Sequence, residues 1–154
     1  MRFVRLILLT VAAPTVLALS PSSAQAATEK FLDSQQIAAL ETRAAQAAPK
    51  EQCFLYAELA HSMAEIAGQQ LNAGDERDAA ESIRAVQRYA DKIHMNVADD
   101  ARKLKNAEIL MRQTAFRLKA IMLDASLDDR PSLESTLKQL DKVESEMMLQ
   151  VFRH

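Results

Sequence analysis

Apolar residues fall along this chain in two kinds of run. The first is nearly unbroken: Leu6 to Leu19 is interrupted only by Thr10, Pro14 and Thr15. From Asp33 onward the apolar positions return at three- and four-residue steps, the spacing of one face of an α-helix. Ile37, Leu40 and Ala44 form the first stripe and predict a helix from about Ser34 to Ala47, capped by Asp33 or Ser34 and ended by Pro49. A second helix is predicted from about Glu51 to Asn72, with Gly74 as its left-handed C-terminal cap. Its apolar residues, Leu55, Tyr56, Leu59, Ala60, Met63, Ile66, Ala67 and Leu71, cover more than one stripe, so this helix should be the most buried.

After Asp75 neither glycine nor proline occurs until Pro131. Ala79, Ile83, Val86, Ala90, Ile93 and Val97 keep the helical beat, and Ala101, Leu104, Ala107, Met111, Ala115, Leu118 and Met122 continue it. One helix of about 75 Å would fit this run, but a break near Asn96, with Asp99 as its capping partner, gives two segments that match the second helix in length. A last helix is expected after Asp129 as N-cap, with Pro131 in its first turn and Leu133, Leu137, Leu140, Val143, Met147 and Val151 inward. The fold class that follows is all-α: an antiparallel helical bundle of four long helices plus a shorter N-terminal helix.

The unbroken run has a different meaning. Arg2 and Arg5 precede it, it is short of the roughly 20 residues a membrane span needs, and Ala24-Gln25-Ala26 follows in the small-x-small pattern that signal peptidase reads. Residues 1–26 are therefore expected to be a cleaved secretory signal, with Ala24 and Ala26 as the recognition residues and 27–154 as one all-helical domain. The expected destination is the periplasm or the exterior, with no membrane anchor left after cleavage.

Composition narrows the function classes. Two glycines and two prolines after the leader starve strands and tight turns. Without Arg2 and Arg5, 17 of the 19 basic side chains remain against 21 acidic ones, a formal charge of −4. Such a balance argues against a nucleic-acid or anionic-membrane partner. Cys53 is the only cysteine in the chain, so no intramolecular disulfide can form, and its neighbours Phe54-Leu55-Tyr56 point to burial as a small hydrophobe.

Candidate chemistry is sparse. Glu58-x-x-His61 and Asp91-x-x-His94 each put a carboxylate and an imidazole on one helical face, as di-iron bundles do. A hairpin closing near Gly74 sets His61 level with about Gln87, however, which leaves His94 roughly 10 Å away along the axis and the two pairs unable to share a metal. The same arithmetic sets Cys53 level with His94 and Met95, a thiolate, imidazole and thioether suited to copper(I) or zinc. Most methionines fall on the inward stripes; Met95 and one of Met147 and Met148 face out. No Gly-x-Ser-x-Gly elbow or phosphate-binding glycine loop occurs, and no cofactor is implied.

Two short resemblances add little. Met63 to Val86 resembles a single tetratricopeptide unit, through Ile66-Ala67, Gly74-Asp75 and Ala79, but Gln70 stands where a large apolar residue is usual and no second copy follows at a 34-residue period. Leu32-Asp33-Ser34-Gln35-Gln36 resembles the leucine-threonine-x-x-glutamine box of small periplasmic stress chaperones, with Asp33 in place of the threonine; a helix cap explains it equally well. The chain thus reads as a non-enzymatic exported bundle acting through a protein partner or self-association, the alternative being a small metal-handling or metal-sensing bundle built on Cys53 and His94.

Overall fold

The computed structural model describes residues 32–95 and 101–152, the side chains of Lys50, His94, Met95 and Ala101 excepted. The leader with Ala24 and Ala26, and the Asn96–Asp99 capping pair, lie outside these residues. Five helices follow one another: α1 Ser34–Gln46, α2 Pro49–Ala73, α3 Glu76–Met95, α4 Ala101–Asp124 and α5 Arg130–Val151. Among the described residues there is no strand, and no helix is long and apolar enough to cross a membrane.

Local chemistry sets most boundaries. Asp33 and Gln36 form a capping box at α1, the Asp33 carboxylate accepting from the Gln36 N–H at 2.8 Å and the Gln36 side chain accepting from the Asp33 N–H at 3.0 Å. Gly74 ends α2 at φ 83°, and its N–H and that of Asp75 return to carbonyls of the last turn. Two readings need correction. Pro49 opens α2 instead of closing α1, because a helix start leaves the first N–H unbonded in any case. Asp129 holds the N-cap position of α5 without capping it: its carboxylate accepts from Ser126 Oγ at 2.7 Å, which closes the preceding turn. The long glycine-free stretch carries two helices, α3 and α4, as the spacing predicts, and the expected break point near Asn96 lies outside the described residues.

Four long helices pack as a square in which α2 touches α3 and α4, and α5 touches the same two. Consecutive helices alternate in direction, but α3 and α4 do not meet among the described residues and stand on a diagonal. The neighbours α2 and α4 therefore run parallel. Three contacts fix that register: Glu51 Oε1 to Lys103 Nζ at 2.6 Å, His61 Nδ1 to Thr114 Oγ1 at 3.4 Å, and Glu65 Oε2 to Arg117 Nε at 3.1 Å. On the opposite side Gln139 of α5 donates to the Gln87 carbonyl at 3.0 Å and also reaches Asp91, both on α3.

The core is continuous from Leu55 and Leu59 of α2 through Ile83, Val86 and Ile93 of α3 and Leu104, Met111 and Leu118 of α4 to Leu133, Leu140 and Met147 of α5. Each such leucine or isoleucine contributes about 1.5–3 kcal/mol by leaving water. Buried hydroxyls are satisfied locally: Thr114 and Thr136 each donate to the carbonyl four residues back at 2.7 Å, and Ser82 donates to Gln70 at 2.7 Å. Helix α1 lies along α2 with Leu40 and Ala44 buried. Its other tie is to α3, where the buried Tyr89 phenol donates to Glu41. Tyr89 stacks on Tyr56 with ring centroids 6.4 Å apart, and Lys92 Nζ stands 5.0 Å from the Tyr56 centroid.

Two consequences are measurable by urea unfolding. Gly74→Ala puts a Cβ into a left-handed conformation with empty space around it, so only backbone strain acts; a loss of about 1 kcal/mol is expected, recovered in part by Asn. Burial, and then the bond to Glu41, raises the Tyr89 phenol well above its ordinary value near 10. The folded state thus holds this proton more tightly than the unfolded one, and the stabilisation is present below pH 10 and is lost as pH rises beyond it. Tyr89→Phe should cost about 1 kcal/mol at neutral pH and lose less stability than the parent above pH 10; equal alkaline slopes would contradict this assignment.

Candidate functional site

The residues singled out by sequence do not converge. His61 projects from α2 into the α2–α4 seam. Thr114 Oγ1 lies 3.4 Å from its Nδ1 and gives its one proton to the Leu110 carbonyl, so a hydrogen bond between the two requires the imidazole proton on Nδ1. No hydrogen bond or ion pair joins Glu58 to His61. Asp91 belongs to the opposite seam, where Gln139 of α5 reaches it. Thus the two carboxylate–histidine motifs begin on opposite sides of the square, and the side chain of His94 lies outside the described residues.

Cys53 is 1% exposed, as its apolar neighbours predict. It lies near the end of the α2–α3 hairpin away from Gly74, at which α3 reaches Met95. The side chains of His94 and Met95 are not described, and among the described residues no cluster of three or more histidine, cysteine or acidic side chains could hold a metal. Of the other methionines, Met111 and Met147 are fully buried, Met63 and Met122 half-buried, and Met148 is 41% exposed.

A polar seam lies between α2 and α4. His61, Glu65, Arg112, Gln113, Phe116 and Arg117 line an open depression of about 630 Å³. Its charges are matched internally: Arg117 Nε sits 3.1 Å from Glu65 Oε2 with its N–H turned away, an ion pair without a hydrogen bond. Arg112 bridges Glu108 on its own helix and Glu144 of α5, at 3.3 Å for the latter. These two carboxylates raise the Arg112 guanidinium, Glu144 most. Gly68 makes room for the other arginine: a Cβ there would stand 2.5 Å from Nη2 of Arg117 and 2.9 Å from Cζ. Helical glycine costs about 1 kcal/mol relative to alanine, and here it lets a guanidinium lie against the backbone of α2.

What the sequence reading missed is on the outside. Among the described residues the exposed large apolar side chains are Ile109, Phe116, Leu123, Leu127, Met148, Leu149 and Phe152, the last at 82% and Phe116 at 75%. All belong to α4, the turn after it and the end of α5; none of the described side chains of α1 to α3 joins them. Antiparallel pairing through Arg112 and Glu144 sets Met148 level with Glu108, and Phe152 one turn further on, so the α5 group continues the α4 row at its N-terminal end. The signal was present as a second seven-residue recurrence, Ile109, Phe116 and Leu123, beside the inward Leu104, Met111 and Leu118.

No protein-family model, curated protein or solved structure matches the chain.

The approach of Arg117 to Gly68 can be checked by substitution. Gly68→Ala should change stability by less than about 0.5 kcal/mol, since its helix-propensity gain is offset by displacing a flexible side chain. Gly68→Leu has no such outlet and should cost about 1–3 kcal/mol in urea unfolding. A neutral leucine would show that nothing rests on this glycine.

Proposed function

We propose that this chain is an exported, non-enzymatic bundle protein that works by binding another protein, and that its binding surface is the outer face of α4 with the adjoining end of α5. The observation that carries the reading is the one-sided distribution of exposed apolar side chains. Such residues scattered singly are ordinary on soluble proteins, whereas gathered on one face they mark interaction surfaces. The apolar excess of α2 supplies no competing surface, because α1, α3 and α4 cover it. Export is the companion expectation, from the leader at residues 1–26. The internally paired charges of the α2–α4 seam favour a structural role for that seam over a catalytic one.

A photo-crosslinking residue at position 116, compared with one at exposed Arg84 on α3, tests the surface directly. Adducts in the producing cell are expected from position 116 and not from position 84. Phe116→Ser should abolish the interaction while changing stability by less than about 0.5 kcal/mol, the range for exposed positions. Equal crosslinking from both positions, or none from 116, removes the proposal.

A further inference from the structure

We infer that the partner presents an amphipathic α-helix with acidic flanks, docked along the outer face of α4; this rests on the protein-binding reading above. Width is the first reason. Ile109, Phe116 and Leu123 recur every seven residues, so they stand about 10 Å apart along α4 and, at 100° per residue, within about 40° of one another around it. Between them lie exposed Gln113 and half-buried Ala120. A row this narrow is a seam that one helix fills knobs-into-holes. A helix that lies in a membrane surface carries a broader apolar stripe.

Charge is the second reason. Lys105, Arg112 and Lys119 recur at the same seven-residue step, each four residues before an apolar member, and all three are exposed. Arg112 is tied to Glu108 and Glu144, whereas Lys105 and Lys119 carry no ion pair among the described residues. One flank of the seam is therefore basic at its two ends, at Lys105 and Lys119, and a helix matching it carries glutamate or aspartate there beside its own apolar row. The same pattern disfavours a second copy as occupant. Antiparallel pairing about Phe116 would set Ile109 over Leu123 but bring basic row against basic row. A parallel copy would offer Asn106, Gln113 and Ala120 on the facing flank, none of them acidic.

The test uses the purified protein and three synthetic peptides of roughly four leucine heptads, identical except for glutamate, glutamine or lysine at the flanking positions. At about 50 mM salt the glutamate peptide should bind at least about tenfold more tightly than the lysine peptide, with the gap closing near 0.5 M salt. Phe116→Ala should weaken the glutamate peptide by about tenfold, and Lys105→Glu with Lys119→Glu should reverse the preference. All three positions are exposed, and unchanged thermal melts confirm that the variants fold. Equal binding of the three peptides overturns the inference. So does binding to phosphatidylglycerol vesicles without peptide preference, or a dimer in light scattering that Phe116→Ala dissolves. If crosslinks form at position 116 while the peptides show no preference, the interaction reading stands and this inference alone fails; absence of both removes the reading beneath it.

Discussion

Helix α2 is apolar or small around most of its circumference, and a helix of that kind has to be covered around most of its circumference. Cys53, Ala57, Ala60, Ala64 and Ala67 run along it at steps of four and three, and all are essentially inaccessible to water. Small side chains allow neighbouring backbones to come close, and at Gly68 the approach is close enough for an arginine to lie where a Cβ would be. Three neighbours are required, and three are found. The hairpin at Gly74 supplies α3, the short α1 folds back along a second flank, and α4 takes the third. Because α3 already occupies one side of α2, the chain has to cross the square before α4 can reach the other. That crossing makes α2 and α4 parallel neighbours, and α5 then closes the gap between α3 and α4.

Much of this was legible in residue spacing, and what was not has a common cause. A three- and four-residue beat tells which side of a helix is inward, so the stripes of α1, α3 and α5 emerged as read, Val97 lying outside the described residues, and Gly74 and Asp33 marked the end of α2 and the start of α1 through backbone chemistry that only a few residue types supply. Spacing carries no information about which helix lies opposite. Hairpin arithmetic put His61 level with Gln87, which is a statement about height along the axis; its recorded contact is with Thr114 of α4, a helix the same arithmetic could not reach. Pro49 was misassigned for a related reason, since a proline is compatible with the end of one helix and the start of the next.

The outer face of α4 escaped notice because the helix carries two apolar rows. Leu104, Met111 and Leu118 point inward and Ile109, Phe116 and Leu123 outward, each on a seven-residue step and about 140° apart around the axis. A sequence pass that accepts the first row as the core stripe has no need of the second. The neighbours separate them: the inward row is accompanied by Ala107, Ala115 and Ile121, the outward one by Lys105, Arg112 and Lys119. Net charge obscured the same feature, since a weakly acidic total averages over a helix that carries six basic residues and two acidic ones. Charge per helix face, unlike charge per chain, distinguishes α4 from its neighbours.

An exposed phenylalanine adds little to folding, because it remains in water before and after the chain collapses. Ile109, Phe116, Leu123 and Leu127 therefore cannot be explained as part of the core that holds the bundle together. The polar seam beside them is in the opposite condition: Glu65 with Arg117, and Glu108 and Glu144 with Arg112, stiffen the α2–α4 and α4–α5 contacts and leave little charge unmatched. Together they describe a helix whose inner and lateral faces are covered by the bundle and whose outer face is not. A face already held in place by its own bundle would lower the ordering cost of docking for the helix proposed to bind there. The outer face of α4 is thus the part of the described molecule that its own fold leaves uncovered.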